Sequence, residues 1–271
     1  MHCLLTNDDG IDAPGLWVAA RALAELGTVL VVAPSRDWSG YGAALPPARE
    51  VSYRVYPTGP DLRGVAAFAL MASPATCTAV GLSGALSNRH VDFVVSGIND
   101  SLNLGHDVFF SGTVGAALTA HLAGVPALAA SLESGNASVR HWDTAAWAIQ
   151  ELVRSSTDHH AAAATLFNVN VPDRHLSDLA GIQMTWLAGG STLARCQARA
   201  TSDNTLVFSV EEATCSEAAE AGSDCWAVER GYISITPLRV ASGQQHLLVC
   251  GDVTGPVALS IAHPKLLSRA A

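Results

Sequence analysis

The chain has very little positive charge. Lys265 is its only lysine, and 15 basic residues face 24 acidic ones, which gives a net charge of −9. No run of basic residues could follow a phosphodiester backbone, so nucleic acid is not an expected partner. A small phosphorylated molecule could still bind if a metal ion or local groups offset its charge.

Several common site fingerprints are also missing. The six cysteines form no CxxC pair, which argues against a zinc site and favours reduced thiols in a cytoplasmic protein. Neither GxGxxG nor GxxxxGK[ST] occurs, which argues against a nicotinamide oxidoreductase and a P-loop enzyme. No signal peptide precedes the first predicted strand, which again favours the cytoplasm.

Charged residues are absent from 64–88, a stretch of 25 residues. That length could span a bilayer. However, Pro74, three glycines and several serines and threonines interrupt it. We therefore predict a buried strand, a turn at Ser73 and Pro74, and a helix, and no membrane contact.

The hydrophobic pattern is typical of an α/β protein. Apolar residues make up 49% of the chain and charged residues 14%, which suits a sheet buried on both faces. Strands are predicted at 2–5, 28–33, 91–95, 127–131 and 165–171, and helices after Pro14 and at 113–123 and 142–153. We expect 96–99 to leave its strand and 100–110 to form a loop.

The pattern changes after about residue 182. Short strands and turns replace the strand–helix rhythm, with strands predicted at 232–237 and 246–250 and an exposed acidic segment at 211–222. We predict one domain over 1–271, with an α/β core at about 1–182. A hairpin extension that serves oligomerisation would follow at about 183–250.

Polar residues follow three of the predicted strands. Asp8 and Asp9 follow the first, a loop with Ser39 follows the second, and Asn99 follows the third. The carboxyl ends of parallel strands meet at one edge of the sheet. Two carboxylates with neutral oxygens suit Mg²⁺, Mn²⁺ or Ca²⁺. Taken alone, however, an Asp-Asp-Gly sequence is more typical of a turn or a helix cap.

A helix start supplies the complementary half of the site. Ser111, Gly112 and Thr113 precede or open the helix predicted at 113–123, where backbone N–H groups and the helix dipole favour an anion such as phosphate. A cation beside an anion cradle is a layout for phosphoryl hydrolysis.

These motifs resemble the SurE family of metal-dependent 5′/3′-nucleotidases, also described as survival-protein acid phosphatases. The resemblance covers nearly the whole chain. The matching motifs are TNDDG (6–10), APG (13–15), SG (39–40), SGIN (96–99), NLG (103–105), SGTVGAA (111–117), NVNVP (168–172) and SDCWAVERGYISITPL (223–238).

The resemblance implies a fold and a ligand set. It implies a Rossmann-like three-layer core with a mostly parallel sheet, plus a C-terminal β-hairpin that swaps between subunits of a homodimer or homotetramer. It implies one divalent cation per subunit, Mg²⁺ or Mn²⁺, with Ca²⁺ as a crystal substitute. The implied metal ligands are Asp8, Asp9, Ser39 and Asn99. The implied phosphate and substrate residues are Asn7, Asn103, Ser111, Gly112 and Thr113.

The expected reaction is hydrolysis of a nucleoside 5′- or 3′-monophosphate. Asp8 or Asp9 would orient the attacking water or accept its proton, with Asp8 favoured as the general base. His106 is the nearest candidate for the general acid, although a loop histidine bonded to backbone is the simpler interpretation. Trp38 and Tyr41 could stack on a base or merely cover the core.

Three positions depart from the family pattern. Residues 72–77 read ASPATC where the family carries GTP-x-D-C, and 185–188 lack an arginine. Asp100 either faces the site, where it would oppose phosphate or bind a second cation, or points to solvent, which we favour. The alternatives to a nucleotidase are a broad acid phosphatase or short-chain exopolyphosphatase, and an inactive nucleotide-binding scaffold.

Overall fold

A nine-stranded sheet forms the middle layer of the protein. The structure, a computed structural model, describes residues 1–46, 50–135, 139–158, 165–189, 195–200, 206–211 and 219–240. The strands are β1 His2–Thr6, β2 Thr28–Pro34, β3 Tyr53–Val55, β4 Val65–Leu70, β5 Phe93–Asn99, β6 Ala127–Leu132, β7 Leu166–Val171, β8 Gly181–Met184, β9 Arg195–Ala200, β10 Leu206–Glu211 and β11 Tyr232–Leu238.

The main sheet has the order β3-β4-β2-β1-β5-β6-β7-β11-β8. The six strands from β4 to β7 run parallel, β3 is antiparallel to β4, and β11 is antiparallel to β7 and parallel to β8. Strands β9 and β10 form a separate antiparallel pair. The sheet is therefore mostly parallel, as the sequence predicts.

Helices cover both faces of the sheet. They are α1 Pro14–Ala24, α2 Pro74–Leu82, α3 Gly112–Leu122, α4 Trp142–Asp158 and α5 Asp224–Glu229, with 3₁₀ turns at Gly105–Phe109 and Leu176–Asp178. Helices α1 and α4 pack together on one face, and α2 and α3 pack together on the other. This is the predicted three-layer α/β architecture.

Alternation along the strands divides the core into two layers. In β1, Cys3 and Leu5 join the apolar cluster under α1 and α4, whereas Leu4 joins the cluster under α2 and α3. Both clusters are fully buried at these positions. Such strands read as continuous apolar runs, which explains why the sequence reveals them.

The uncharged stretch at 64–88 forms β4, a turn and α2, as predicted. Ser73 caps α2 by accepting the N–H of Thr76, and Pro74 occupies the first turn. No helix in the described part of the chain is long and apolar enough to cross a membrane.

Strand β5 is longer than predicted. Residues 96–99 do not leave the strand, because Ser96 and Asn99 continue the pairing with β6 around an irregularity in register. Gly97 lies within it at a φ of +131°, and a Cβ there would lie 2.3 Å from the carbonyl oxygen of Ala130. The expected loop at 100–110 also contains the 3₁₀ turn Gly105–Phe109.

The prediction that 232–237 belongs to a hairpin extension is wrong. This segment is β11, which lies inside the main sheet between β7 and β8. The hydroxyl side chains of this strand do not face solvent. Ser234 and Thr236 are instead fully buried, and both hydrogen-bond to the hydroxyl of Thr185. The predicted strand 246–250 and most of 211–222 lie outside the described residues.

Candidate active site

The predicted site residues gather at the carboxyl edge of the parallel strands. Asp8 and Asp9 follow β1, Asn99 ends β5, and the loop after β2 carries Ser39. Helix α3 begins over the same edge at Gly112. The βα topology alone thus brings these distant segments together, as expected for a ligand site in this class of fold.

Asp8 is buried and held by the start of α3. Its carboxylate accepts hydrogen bonds from the hydroxyl and the backbone N–H of Thr113. A Cβ added at Gly112 would lie 2.8 Å from the Asp8 Oδ2 atom. The backbone N–H of Trp38 donates to the Asp8 carbonyl oxygen at 2.8 Å. Asp8 therefore has one fixed position, which requires glycine at residue 112.

Asp9 lies beside it in a strongly negative environment. Burial raises the pKa of Asp9 to about 7, and the carboxylates of Asp8, Asp37 and Asp100 add to the rise. The pKa of Asp8 is also raised, first by its burial, although the Thr113 donors oppose the shift. Among the described residues, no basic side chain forms an ion pair with either carboxylate. This is where a cation is favoured.

Neutral oxygens border the pair of carboxylates. The Asn7 side-chain amide donates to the Gly10 carbonyl oxygen at 2.9 Å, and its Oδ1 is buried without a hydrogen-bond partner in the described structure. The Asn99 amide donates to the backbone and side chain of Ser101 at 2.7 and 3.1 Å, which directs that nitrogen away from a ligand. Ser39 is exposed.

The Ser39 hydroxyl donates to Asp37 Oδ1 at 2.6 Å, and the Ser39 backbone N–H binds the same atom at 2.7 Å. Asp37 is a site residue that sequence reasoning missed, because an aspartate in a polar loop gives no signal. The described residues contain no group of three or more His, Cys, Asp or Glu placed to hold a metal. A cation here would depend on two carboxylates supplemented by amide and hydroxyl oxygens, which are the donors that Mg²⁺ and Mn²⁺ prefer.

Asn103 is deeply buried and belongs to a polar network behind the edge. Its side-chain amide donates to Ser131 Oγ at 2.8 Å, and its backbone N–H donates to Asn170 Oδ1 at 2.8 Å. The amides of Asn168 and Asn170 donate to its carbonyl oxygen at 2.7 and 3.0 Å. The hydrogen bonds of Asn103 therefore anchor the loop that leads to α3.

Asp224, at the start of α5, fastens the next residues of that loop. Its carboxylate accepts the N–H groups of Gly105 at 2.7 Å and Ala188 at 2.8 Å. Burial raises the pKa of Asp224, and these backbone donors partly offset the rise. Only the resemblance of 223–238 to the family could have drawn attention to this residue.

Ser111 acts as the N-cap of α3, since its Oγ accepts the N–H of Val114 at 3.1 Å. Ser73, in the segment that departs from the family pattern, donates to the carbonyl oxygen of Ala44 at 2.6 Å. The altered segment is thus hydrogen-bonded to the end of the loop that contains Ser39.

The remaining candidates lie at the rim. His106 is exposed and, with Phe109, lines a cavity of about 270 Å³ beside α3. Trp38 and Tyr41 form an edge-to-face pair at 4.8 Å between ring centroids, and Tyr41 is exposed. The guanidinium of Arg36 stacks on the Trp38 ring at 4.8 Å. Arg36 is a positive group at the rim that sequence reasoning also missed.

Comparison with known proteins agrees with this geometry. The model of the survival protein SurE family matches residues 3–192. The chain is 40% identical over 241 residues to a 5′-nucleotidase SurE of Xanthomonas euvesicatoria pv. vesicatoria (89% of this chain, 90% of the relative). It is 36% identical over 252 residues to a 5′-nucleotidase SurE of Dehalococcoides mccartyi (93% and 94%).

The crystal structure of the SurE protein from Aquifex aeolicus has the same fold. It superposes with a TM-score of 0.73 at 31% identity and covers 88% of this chain and 93% of the other. Family match, sequence identity and fold agree along most of the chain, and the protein belongs to the survival protein SurE family.

Proposed function

We propose that the protein is a divalent-metal-dependent phosphomonoesterase that hydrolyses nucleoside 5′- or 3′-monophosphates to nucleoside and phosphate. The observation that carries the proposal is the pair of adjacent carboxylates, Asp8 buried and Asp9 half-buried, of which Asp8 is bonded to the start of α3. Relatives that are 36% and 40% identical are 5′-nucleotidases, which supports a nucleotidase activity for this chain.

Asp8, Asp9, Ser39 and Asn99 would hold one divalent cation, Mg²⁺ or Mn²⁺. When bound, the cation supplies positive charge that polarises a phosphoryl oxygen and makes water a better nucleophile at neutral pH. The raised pKa values of Asp8 and Asp9 and the unpartnered Asn7 oxygen fit such a cation. Asn7 would hold the surrounding groups in place.

The two aspartates take different roles in this proposal. Thr113 occupies Asp8 Oδ1, and Gly112 lies against Asp8 Oδ2, so Asp8 is a fixed ligand. Asp9 is less buried and can orient a water molecule and accept its proton. This reverses the preference for Asp8 as general base that the sequence favoured, because access to substrate decides which carboxylate can act.

The start of α3 would receive the phosphate. Its dipole favours an anion. Asp8 already accepts the N–H of Thr113, and Ser111 already accepts the N–H of Val114, so the Gly112 N–H is the first-turn amide that these two bonds leave for phosphate. Asn103 would stabilise this loop from below. The rim aromatics Trp38 and Tyr41 would contact the nucleoside.

Phosphate release from AMP tests the proposal. We expect metal-stripped protein to be inactive, Mn²⁺ or Mg²⁺ to restore release, and Asp8→Asn protein to remain inactive with either metal. A panel of 5′-AMP, 3′-AMP, p-nitrophenyl phosphate and tripolyphosphate then separates a nucleotidase from a broad acid phosphatase or exopolyphosphatase. Folded protein that releases no phosphate with any metal, but still binds AMP, would indicate a nucleotide-binding scaffold instead.

We also propose that the chain is one domain that assembles as a homodimer or homotetramer through the β9–β10 hairpin. A two-stranded hairpin is marginal on its own, and Phe208 on β10 is 61% exposed. Sedimentation should give a dimer or tetramer mass, and Phe208→Ser should shift it toward the monomer. A monomeric wild-type protein would refute this part.

The proposed location is the cytoplasm. Cys3 and Cys77 are buried thiols, and burial raises the pKa of Cys3 to about 12, so neither depends on an oxidising compartment. Fractionation of the source cells with an antibody tests this directly.

A further inference from the structure

Asp100 is a further carboxylate next to Asp8, Asp9 and Asp37, and it is paired with an arginine. The backbone N–H of Asp100 hydrogen-bonds to the Asp9 carboxylate, and the Asp100 side chain adds negative charge to Asp9. That side chain is about half exposed, and its Oδ1 lies 2.5 Å from Nη1 of Arg140. Asp100 thus does not simply point to solvent, as the sequence suggested. Its negative charge lies next to the site but is paired with Arg140.

Arg140 binds Asp100 through Nη1 alone, because its other guanidinium nitrogens have other partners. Nε donates to Asp173 Oδ2 at 2.7 Å, and Nη2 donates to the carbonyl oxygen of Glu133 at 2.9 Å. The guanidinium also stacks on the Trp142 ring at 4.9 Å. The Arg140 side chain is 18% exposed, so the fork is fixed before any substrate arrives.

Asp173, which binds Arg140, is itself held by hydrogen bonds from His141. Its side chain is 7% exposed. It accepts the backbone N–H of His141 at 2.8 Å and lies 3.0 Å from the His141 ring nitrogen Nδ1. The Ser134 hydroxyl donates to the Asp100 carbonyl oxygen at 2.8 Å. Loops after β5, β6 and β7 therefore converge beside the site on Arg140, which is bonded to both Asp100 and Asp173.

We propose that Arg140 is a positioning residue that neutralises Asp100, so that a dianionic phosphate ester can approach the edge formed by Asp8 and Asp9. The inference rests on the proposed function. Without Arg140, a phosphate with two negative charges would meet Asp100 as well as the two site carboxylates. A fixed guanidinium suits this role better than a mobile ammonium, because its planar fork can bind two carboxylates and a carbonyl at once.

Steady-state kinetics with AMP tests the proposal through a double-mutant cycle. Arg140→Gln should raise KM about fivefold and leave kcat nearly unchanged, the size expected for one partly screened charge. Asp100→Asn alone should lower KM, because one negative charge beside the site is removed while Arg140 stays in place, paired with Asp173. The double variant should return KM to near the wild-type value. Raising the salt concentration should shrink all of these differences.

The control is a second Arg–Asp pair that lies away from the site. Arg21 and Asp61 form an exposed ion pair at 3.2 Å, and Arg21→Gln should leave KM unchanged. Calorimetric titration with inorganic phosphate gives a readout that does not depend on turnover, and the same order of affinities should appear there. Thermal unfolding separates a folding defect from a binding defect.

Two results would overturn the inference. One is a double variant as impaired as Arg140→Gln, which would mean that Arg140 touches the substrate or is merely structural. The other is an Asp100→Asn protein whose KM and phosphate affinity equal those of the wild type, a result that stands even if Arg140→Gln fails to fold. If wild-type protein shows no AMP hydrolysis, the proposed function fails separately, and the phosphate titrations still decide the role of Arg140.

Discussion

Replacing Asp9 with asparagine should stabilise the metal-free protein, and more so as the pH rises. Asp9 has a pKa of about 7 in the folded protein against 3.8 as its ordinary value, chiefly because it is buried. Between these values the folded state binds a proton that the unfolded state has lost. The contribution of Asp9 to the free energy of unfolding therefore falls as pH rises from about 4 to about 7.

The size of the effect follows from the two pKa values. The full difference corresponds to a penalty of about 4 kcal/mol at pH 8, of which about 1.5 kcal/mol is already present at pH 5. Asp9→Asn removes the charge, so its gain in unfolding free energy should be about 2.5 kcal/mol larger at pH 8 than at pH 5. These values are upper bounds, because the unfolded chain and bound water relax the penalty.

Urea unfolding of metal-free protein at pH 5 and pH 8 measures the effect. The control is Asp61→Asn, which alters an exposed carboxylate. It should change the free energy of unfolding by the same amount at pH 5 and at pH 8. Adding Mg²⁺ at pH 8 should stabilise the wild type and have much less effect on Asp9→Asn, because the cation binds only the folded carboxylate site. If the free energy of unfolding depends on pH equally in the wild type and in Asp9→Asn, then Asp9 is not a carboxylate whose charge destabilises the metal-free fold.

Three further changes test the site. Thr113→Ala should weaken metal affinity about tenfold, because Asp8 loses its hydroxyl donor, and Thr113→Ser should restore that affinity. A raised KM for AMP with unchanged metal affinity would instead place Thr113 in the phosphate cradle that the sequence predicts. Gly112→Ala should abolish activity in a folded protein, since its Cβ meets Asp8, whereas Gly189→Ala, with open space around it, should be silent in the same assay. Asn170→Ala should cost about 1–3 kcal/mol in urea unfolding and lower kcat, and an unchanged kcat would show that the Asn103 loop needs no such support.

The parts of the fold that the sequence predicts are those fixed by local chemistry. The central strands are unbroken apolar runs, and the glycines and prolines after them mark where the chain turns. Polar residues at three strand ends predict a common edge, because parallel strands leave a sheet on the same side. Asp8, Asp9 and Asn99 are found at that edge for this reason alone.

The errors concern residues whose partners lie far along the chain. Ser234 and Thr236 resemble the polar side of an exposed strand, yet they are buried against Thr185. A hydroxyl that is satisfied internally looks the same in a sequence as one that faces water. The strand predicted at 232–237 is therefore found, as β11, but its place inside the main sheet was not predicted.

The same limit explains why the support of the site was missed. Asp224 binds Gly105 across 119 positions, and Asn170 binds Asn103 across 67. Both lie in segments that the family resemblance matches, 168–172 and 223–238, but no pattern of metal or phosphate ligands singles them out. Their function is to hold a loop whose own residues carry the recognisable motif. In this protein the sequence identifies the candidate ligands. Their positions depend on buried polar residues, whose partners are known only from the folded structure. Tests confined to the predicted ligands would therefore probe the cation and phosphate sites but leave their geometry unexamined.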